Sequence, residues 1–207
     1  ILTHLRPDGD TVGCAAALCA GLRSLGKTAF LLPNPELTDT TAPYFRPYEA
    51  PECFTPDKVV STDIATVGLF PENARPYAER VDLAIDHHPS FEGFGRANIV
   101  RPKAAACGEL VLDIIRELTP LTQEIALPLY VAVSTDTGCF KFSSTKASTH
   151  ITAAKLMEAG AHVEELNTLL FDTKSRERME AERIARNHLE YHLDGRCALI
   201  YLTRDEI

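Results

Sequence analysis

A short apolar run, Val81 to Ile85, leads directly into three side chains that can bind a metal ion, Asp86, His87 and His88. The run predicts a buried strand, so these polar side chains emerge where the strand leaves the core. Desolvating a carboxylate and two imidazoles without a partner is unfavourable. The tripeptide therefore constrains the chain to a fold in which a metal ion meets the end of this strand.

Three other apolar segments end in similar side chains. The opening segment runs into a turn with His4, Asp8 and Asp10, and two later apolar stretches end at Asp63 and at Asp136. In an α/β sheet the carboxyl ends of parallel strands lie along one edge, where ligands bind. Each feature alone has an ordinary explanation, such as an Asp-Gly turn or a helix cap. Four such ends in one chain favour a shared metal site.

The order of apolar patterns predicts an α/β fold, in which a parallel β-sheet flanked by helices is followed by a helical subregion and a final, highly charged helix. Strands are predicted at the opening residues and at 28–32, 58–62, 82–85 and 97–100. Helices are predicted at 11–25, with Thr11 as the cap, and at 73–80, 105–118, 147–159, 163–171 and 175–192. Segment 122–133 has helical spacing, but its valines alone suggest a strand.

Composition restricts the class of protein. The 207 residues are 45% hydrophobic and 24% charged, which is ordinary for a globular chain. A net charge of −8 disfavours long duplex nucleic acid as a partner, because binding its backbone needs clustered Lys and Arg. The sequence shows no membrane-spanning run, and its six cysteines form no Cys-x-x-Cys pair. These features predict reduced thiols, no membrane partner and a cytoplasmic location.

The combined motifs resemble those of the DHH phosphoesterases, and within that family those of the oligoribonuclease and 3′-phosphoadenosine 5′-phosphate phosphatase group called NrnA. The motifs are His4-x-x-Pro7-Asp8-Gly9-Asp10, Asp63, Asp86-His87-His88, the stretch 104–109 and the stretch 136–145. The resemblance implies a DHH catalytic domain at residues 1–172, a linker helix at 173–192, and at 193–207 the start of a truncated substrate-binding domain of the type called DHHA1.

The resemblance also implies two metal ions that share one bridging carboxylate. The first would be held by His4, Asp8 and Asp63, and the second by Asp10, Asp63, His87 and Asp136. A mixture of carboxylates with about one imidazole per site suits Mn²⁺, with Mg²⁺ or Co²⁺ as substitutes. A water held between the two metals would be the nucleophile.

Two catalytic roles follow from the same resemblance. Asp86 would orient a ligand histidine or approach the metals. His88 would face the substrate phosphate and protonate the leaving oxygen, although a role limited to hydrogen bonding within its loop stays open.

The implied function is a manganese-dependent phosphoesterase that hydrolyses short oligoribonucleotides, nucleoside 3′,5′-bisphosphates or both. The alternatives are a cyclic-dinucleotide phosphodiesterase, an inorganic pyrophosphatase, a single-strand DNA exonuclease, or a non-catalytic nucleotide-binding domain. The expected partner is a short RNA or nucleotide. Residue patterns leave the exact substrate and the oligomeric state open, with a homodimer as one option.

Overall fold

The computed structural model describes residues 1–206, which divide into two compact units. The first unit extends from Ile1 to Asn167, and the second begins at Thr168. All of the side chains predicted to bind metal or to act in catalysis belong to the first unit.

A parallel sheet of three strands lies in the first unit. Its strands, in spatial order, are β1 (Val60–Thr62), β2 (Leu83–Asp86) and β3 (Ala97–Val100). Ser61 pairs with Ala84, and Ile85 pairs with Ile99, both in parallel register. The predicted α/β class with a parallel sheet is therefore confirmed, and the carboxyl ends of β1 and β2 lie side by side.

Helices account for most of the remaining regular structure. The α-helices are α1 (Gly9–Ser24), α2 (Ala42–Phe45), α3 (Cys107–Leu118), α4 (Gln123–Asp136), α5 (Ala147–Glu158), α6 (Val163–Asn167) and α7 (Arg176–Asn187). Short 3₁₀ segments occupy Arg46–Tyr48, Val67–Leu69, Glu72–Arg80 and Arg204–Glu206, and a π-helical turn occupies Thr168–Asp172. The ambiguous segment 122–133 is helical. The predicted helix at 73–80 is 3₁₀ instead of α, and Pro76 within it has no N–H to donate.

Two of the predicted strands are reduced to single bridges. Leu2 forms one parallel bridge with Ser61, and Leu31 forms one with Glu49. The backbone N–H of Leu2 donates to the carbonyl of Val60 at 2.7 Å, so the opening segment still aligns beside β1. The Pro33-Asn34-Pro35 sequence follows Leu31 closely, and prolines cannot continue a ladder because they have no N–H.

The start of α1 differs from the prediction. Asp8, and not Thr11, is the N-cap, because its Oδ1 accepts hydrogen bonds from the N–H groups of Asp10 (3.0 Å) and Thr11 (3.1 Å). Thr11 is buried in the first turn, where its hydroxyl donates to the carbonyl of Thr62 at 2.8 Å. This bond ties the start of α1 to the end of β1, two places that carry predicted ligands.

Helix α1 is buried along most of its length and packs closely against α4. A Cβ added to Gly13 would stand 2.2 Å from the carbonyl oxygen of Pro128, and one added to Gly9 would stand 2.4 Å from Oγ1 of Thr135. Both distances are far below van der Waals contact. The two glycines therefore set how near the start of α1 comes to the end of α4, where Asp136 lies.

The second unit contains α7 and an antiparallel hairpin of β4 (Glu190–His192) and β5 (Cys197–Leu199). The predicted helix through His192 is wrong at its carboxyl end, because α7 stops at Asn187 and residues 190–192 join the hairpin. Leu193, Asp194 and Gly195 have positive φ angles in the connecting turn. Asp194-Gly195 is a strong hairpin signal. The hairpin therefore forms where the charged pattern alone would continue the helix.

Two further findings concern the described residues as a whole. None of the helices within residues 1–206 is long and apolar enough to cross a membrane. All six cysteines are free thiols, and Cys14, Cys19 and Cys107 are buried.

Candidate metal centre

The structure brings the predicted ligands together at the carboxyl edge of the sheet. Asp63 follows β1 directly, Asp86 ends β2 and is followed by His87 and His88, and Asp136 is the last residue of α4. The other three come from the turn before α1 and from its first turn: His4, Asp8 and Asp10. Because four chain segments end at this edge, residues that are far apart in sequence become neighbours.

One group of candidate ligands consists of His4, Asp8 and Asp63. The Nε2 atom of His4 lies 3.5 Å from Oδ1 of Asp8 and 4.0 Å from Oδ2 of Asp63. The other ring nitrogen, Nδ1, lies 2.8 Å from the carbonyl oxygen of Leu5, which requires a donor there. Nδ1 therefore carries a proton, and Nε2, which faces the two carboxylates, is the ring nitrogen that a metal would bind.

A second group consists of Asp10, His87 and Asp136. The Nε2 atom of His87 lies 3.7 Å from Oδ2 of Asp10 and 3.4 Å from Oδ2 of Asp136. Its Nδ1 lies 3.2 Å from the carbonyl oxygen of Ala104. A backbone carbonyl thus holds this imidazole as well, in the tautomer that leaves Nε2 free to bind a metal.

Asp63 joins the two groups. Its Oδ2 faces His4, whereas its Oδ1 lies 3.5 Å from Nε2 of His87. The residue has a φ of 59°, in the left-handed region that few non-glycine residues adopt. Its N–H donates to the carbonyl of Ile85 at 2.8 Å, a bond to β2 that holds it there. Strain of this kind concentrates at functional sites, and here it aims one carboxylate at two sets of ligands.

The geometry and charge of these groups fit divalent cations. Oδ1 of Asp63 and Nε2 of His87 are buried and have no hydrogen-bond partner within residues 1–206. Burial, reinforced by the charge of Asp136, raises the pKa of Asp10 well above its usual range, and burial together with Asp10 does the same to the pKa of Asp63. A cation between these two atoms would bind the free lone pair of each and remove the repulsion between the carboxylates.

Asp86 contacts His88 and not the candidate ligand His87. Its Oδ1 accepts a hydrogen bond from the backbone N–H of His88 at 2.5 Å and lies 2.9 Å from Nδ1 of the same residue. The hydrogen bond between Nδ1 of His88 and Oδ1 of Asp86 is the largest cause that raises the pKa of His88, to about 9. The side chain of His88 is 41% exposed, and its Nδ1 is 3.5 Å from Oδ1 of Asp63. Asp86 therefore orients an imidazole that borders both the candidate metal ligands and solvent.

Sequence reasoning missed two backbone contributions to the site. The N–H groups of Cys107 and Gly108, at the start of α3, donate to the carboxylate of Asp10 at 2.7 and 3.0 Å. The carbonyl of Ala104 holds His87, as described above. The signal was the run of small residues at 104–108 ahead of a helix, because a helix N-terminus offers unpaired N–H groups to an anion.

Residues 1–133 match the sequence profile described as the DHH family, N-terminal domain. The chain belongs to the DHH family. The matched range contains every candidate ligand except Asp136, together with Asp86 and His88.

This DHH-family chain matches part of a longer relative. The bifunctional oligoribonuclease and PAP phosphatase NrnA of Thermus thermophilus is 31% identical over 212 residues, which cover 99% of this chain and 63% of that protein. The chain therefore spans less than two thirds of that relative.

Solved structures show the same fold. An exopolyphosphatase-related protein from Bacteroides fragilis superimposes with a TM-score of 0.86 at 22% identity, over 99% of this chain and 65% of that one. A putative family II inorganic pyrophosphatase from Methanococcus jannaschii gives a TM-score of 0.62 at 18% identity, over 91% of this chain and 66% of that one. At these identities the likeness concerns the fold.

Proposed function

We propose that this chain is the catalytic part of a metal-dependent phosphoesterase that hydrolyses short oligoribonucleotides, nucleoside 3′,5′-bisphosphates or both. The Thermus relative is named for these two activities and matches the chain over nearly its full length. The structural observation that carries the proposal is a pair of atoms, Oδ1 of Asp63 and Nε2 of His87, that lie 3.5 Å apart inside a cluster of carboxylates and have no hydrogen-bond partner among the described residues.

Two cations would occupy the centre. The first would be held by His4, Asp8 and Asp63, and the second by Asp10, Asp63, His87 and Asp136. We propose Mn²⁺ for both, because this set combines carboxylates with imidazoles and includes no thiolate, and Mg²⁺ or Co²⁺ would be the substitutes. When bound, such cations lower the pKa of a water nucleophile and neutralise the charge of the phosphate group.

The chain's own residues would then position the substrate and move the proton. His88 lies at the exposed side of the centre, and Asp86 fixes its ring through Nδ1. Its remaining nitrogen, Nε2, is the atom that would hold a proton for the leaving oxygen. Asp86 would act through His88 by keeping the imidazole oriented and by favouring its protonated form.

The domain arrangement is part of the same proposal. Residues 1–172 would form the catalytic domain, residues 173–192 would link it to a second domain, and residues 193–207 would begin a substrate-binding domain of the DHHA1 type. The expected partner is a short RNA or nucleotide and not a long duplex, and a homodimer would be the assembly to test first.

A substrate panel tests the proposal on the protein that carries this chain. The purified protein would be treated with EDTA, reloaded with Mn²⁺, and assayed on diribonucleotides and on phosphoadenosine phosphate, with cyclic dinucleotides, pyrophosphate and single-stranded DNA assayed in parallel. We expect turnover of one or both of the first two substrates, lost in EDTA. If the protein hydrolysed only cyclic dinucleotides, pyrophosphate or single-stranded DNA, the proposed substrate class would be wrong.

Elemental analysis separates an enzyme from a non-catalytic nucleotide-binding domain. We expect two manganese ions per chain after reloading. A chain that holds well under two and turns over none of the substrates would contradict the proposal altogether.

A further inference from the structure

Asp10 is held by more than the backbone of α3. Its carboxylate is fully buried, with Oδ2 accepting from the N–H of Cys107 and Oδ1 accepting from the N–H of Gly108. A third donor comes from its own helix, because the thiol of Cys14, one helical turn further along α1, donates to Oδ1 at 3.2 Å.

We propose that Cys14 is a positioning residue for Asp10, an inference that rests on the proposed role of Asp10 as a metal ligand. The two backbone donors belong to α3, whereas the thiol belongs to α1. Hydrogen bonds from two separate helices therefore hold the carboxylate. Donors on both helices restrict rotation of the carboxylate about its χ2 bond. They keep Oδ2 directed to the side where Nε2 of His87 lies, 3.7 Å away.

The thiol donates a weak hydrogen bond, but its partner is a fully buried carboxylate, for which each donor matters more than it would in water. Outer-shell hydrogen bonds of this kind set the orientation of metal ligands. A hydroxyl at the same position would preserve the contact, whereas an alkyl side chain would remove it.

Cys19 provides a matched control on the same helix. Its side chain is also fully buried on α1, and within residues 1–206 its thiol makes no hydrogen bond to a candidate ligand. Replacing either cysteine by alanine removes one buried sulfur atom and leaves a cavity of similar size. Only the Cys14 change also removes a donor from Asp10.

The test measures metal binding without any substrate. Mn²⁺ would be titrated by calorimetry into the EDTA-treated protein that carries this chain, for the parent and for Cys14→Ala, Cys14→Ser, Cys14→Val and Cys19→Ala. We expect Cys14→Ala and Cys14→Val to weaken one of two binding events by about 10–100-fold, as the loss of an outer-shell partner does. Cys14→Ser and Cys19→Ala should bind both ions as the parent does. The valine variant removes the donor and fills the space of the sulfur atom, and thermal unfolding reports the packing cost of its additional methyl group.

Thermal unfolding in EDTA, measured on the same variants, separates positioning from packing. Cys14→Ala and Cys19→Ala should lose similar stability, although only the former loses affinity. If Cys14→Ser were as impaired as Cys14→Ala, or if Cys19→Ala lost the same affinity, Cys14 would act by packing and the inference would be overturned. Full affinity in both Cys14→Ala and Cys14→Val would overturn it while leaving the proposed function intact. A parent that binds no Mn²⁺ would overturn both.

Discussion

Oδ1 of Asp63 lies 3.5 Å from Nε2 of His87, and neither buried atom has a hydrogen-bond partner within residues 1–206. The backbone maintains both sides of this contact. Asp63 is held in a left-handed conformation by its bond to Ile85, and His87 is held by the carbonyl of Ala104. A metal ion between the two atoms would give each of them the partner that it lacks.

Asp63→Asn should remove metal binding while leaving the fold intact. The amide has the same shape and tolerates a left-handed φ, but it has no charge to offer two cations. We expect Mn²⁺ affinity to fall by more than the ~100-fold that marks the upper range for outer-shell changes, with activity at background. In EDTA the variant should unfold at a higher temperature than the parent, because burying the carboxyl group beside Asp10 opposes folding, as its raised pKa shows, and an amide carries no such cost.

The control for this variant is Asp113→Asn, which breaks an exposed ion pair with Arg101 at 2.9 Å. It should change neither affinity nor activity. A chain with Asp63→Asn that still binds two ions tightly would contradict the bridging role.

His88→Asn should separate binding from chemistry. Because Nδ1 of His88 is engaged by Asp86, we expect the variant to retain both metals. Loss of a general acid typically lowers the rate by about 10²–10⁴-fold. Single-turnover kinetics on the Mn²⁺-loaded protein, combined with elemental analysis, would measure both quantities. Loss of metal with normal turnover on reloading would instead exchange the roles of His87 and His88.

Asp86→Asn should lower the pKa of His88. The carboxylate of Asp86 is the main cause that raises this pKa from 6.5 to about 9, so its loss brings the value back down. The interaction between protonated His88 and Asp86 stabilises the folded chain. This stabilisation is complete below about pH 6.5 and is lost as the pH rises through about 9. The variant should therefore lose more stability at pH 6 than at pH 10.

NMR titration of the imidazole and unfolding at the two pH values, both in EDTA, would measure these effects. An unchanged titration of His88 in the variant would show that Asp86 does not control it.

Two details could not be predicted from the sequence: Asp8 caps α1 in place of Thr11, and Asp86 bonds His88 and not the candidate ligand His87. Apolar runs ending in carboxylates or imidazoles were enough to expect His4, Asp63 and Asp136 at one edge, because strand direction is a property of the whole fold. The partner of Asp86 depends on the turn that follows β2, which no periodicity encodes. The role of these side chains as metal ligands stays a prediction.

Long-range contacts were also beyond the sequence. The backbone donors to Asp10 lie 97 and 98 residues away, at the start of another helix. The small residues at 104–108 indicate a helix start that can bind an anion, but which carboxylate lies there depends on how whole elements pack. Similarly, the sequence predicts a strand around Leu31, but Leu31 forms only one isolated bridge, with Glu49.

Gly13→Ala should destabilise the chain and weaken the centre. The added methyl would stand 2.2 Å from the carbonyl oxygen of Pro128, so α1 and α4 would have to separate. Overpacking typically costs about 1–3 kcal/mol, and the separation would also move Asp10 away from Asp136. Urea unfolding in EDTA would measure the stability, and Mn²⁺ titration would measure the affinity.

Gly21→Ala, on the same helix, is the matched control. Its methyl would meet Ile115 at 3.6 Å or more, an ordinary contact, and alanine is the better helix former. The control should be as stable as the parent or more so. Equal destabilisation of both variants would show that the close approach of α1 and α4 at Gly13 does not require glycine there.

Anomalous diffraction from crystals of the Mn²⁺-loaded protein would show whether Asp63 bridges two metal ions. We predict two peaks about 3.5–4 Å apart, the usual spacing in two-metal hydrolases, with Asp63 between them. One peak should lie beside His4 and Asp8, and the other beside Asp10, His87 and Asp136. A map with no peak at Asp63, or with manganese bound only elsewhere on the chain, would contradict this prediction.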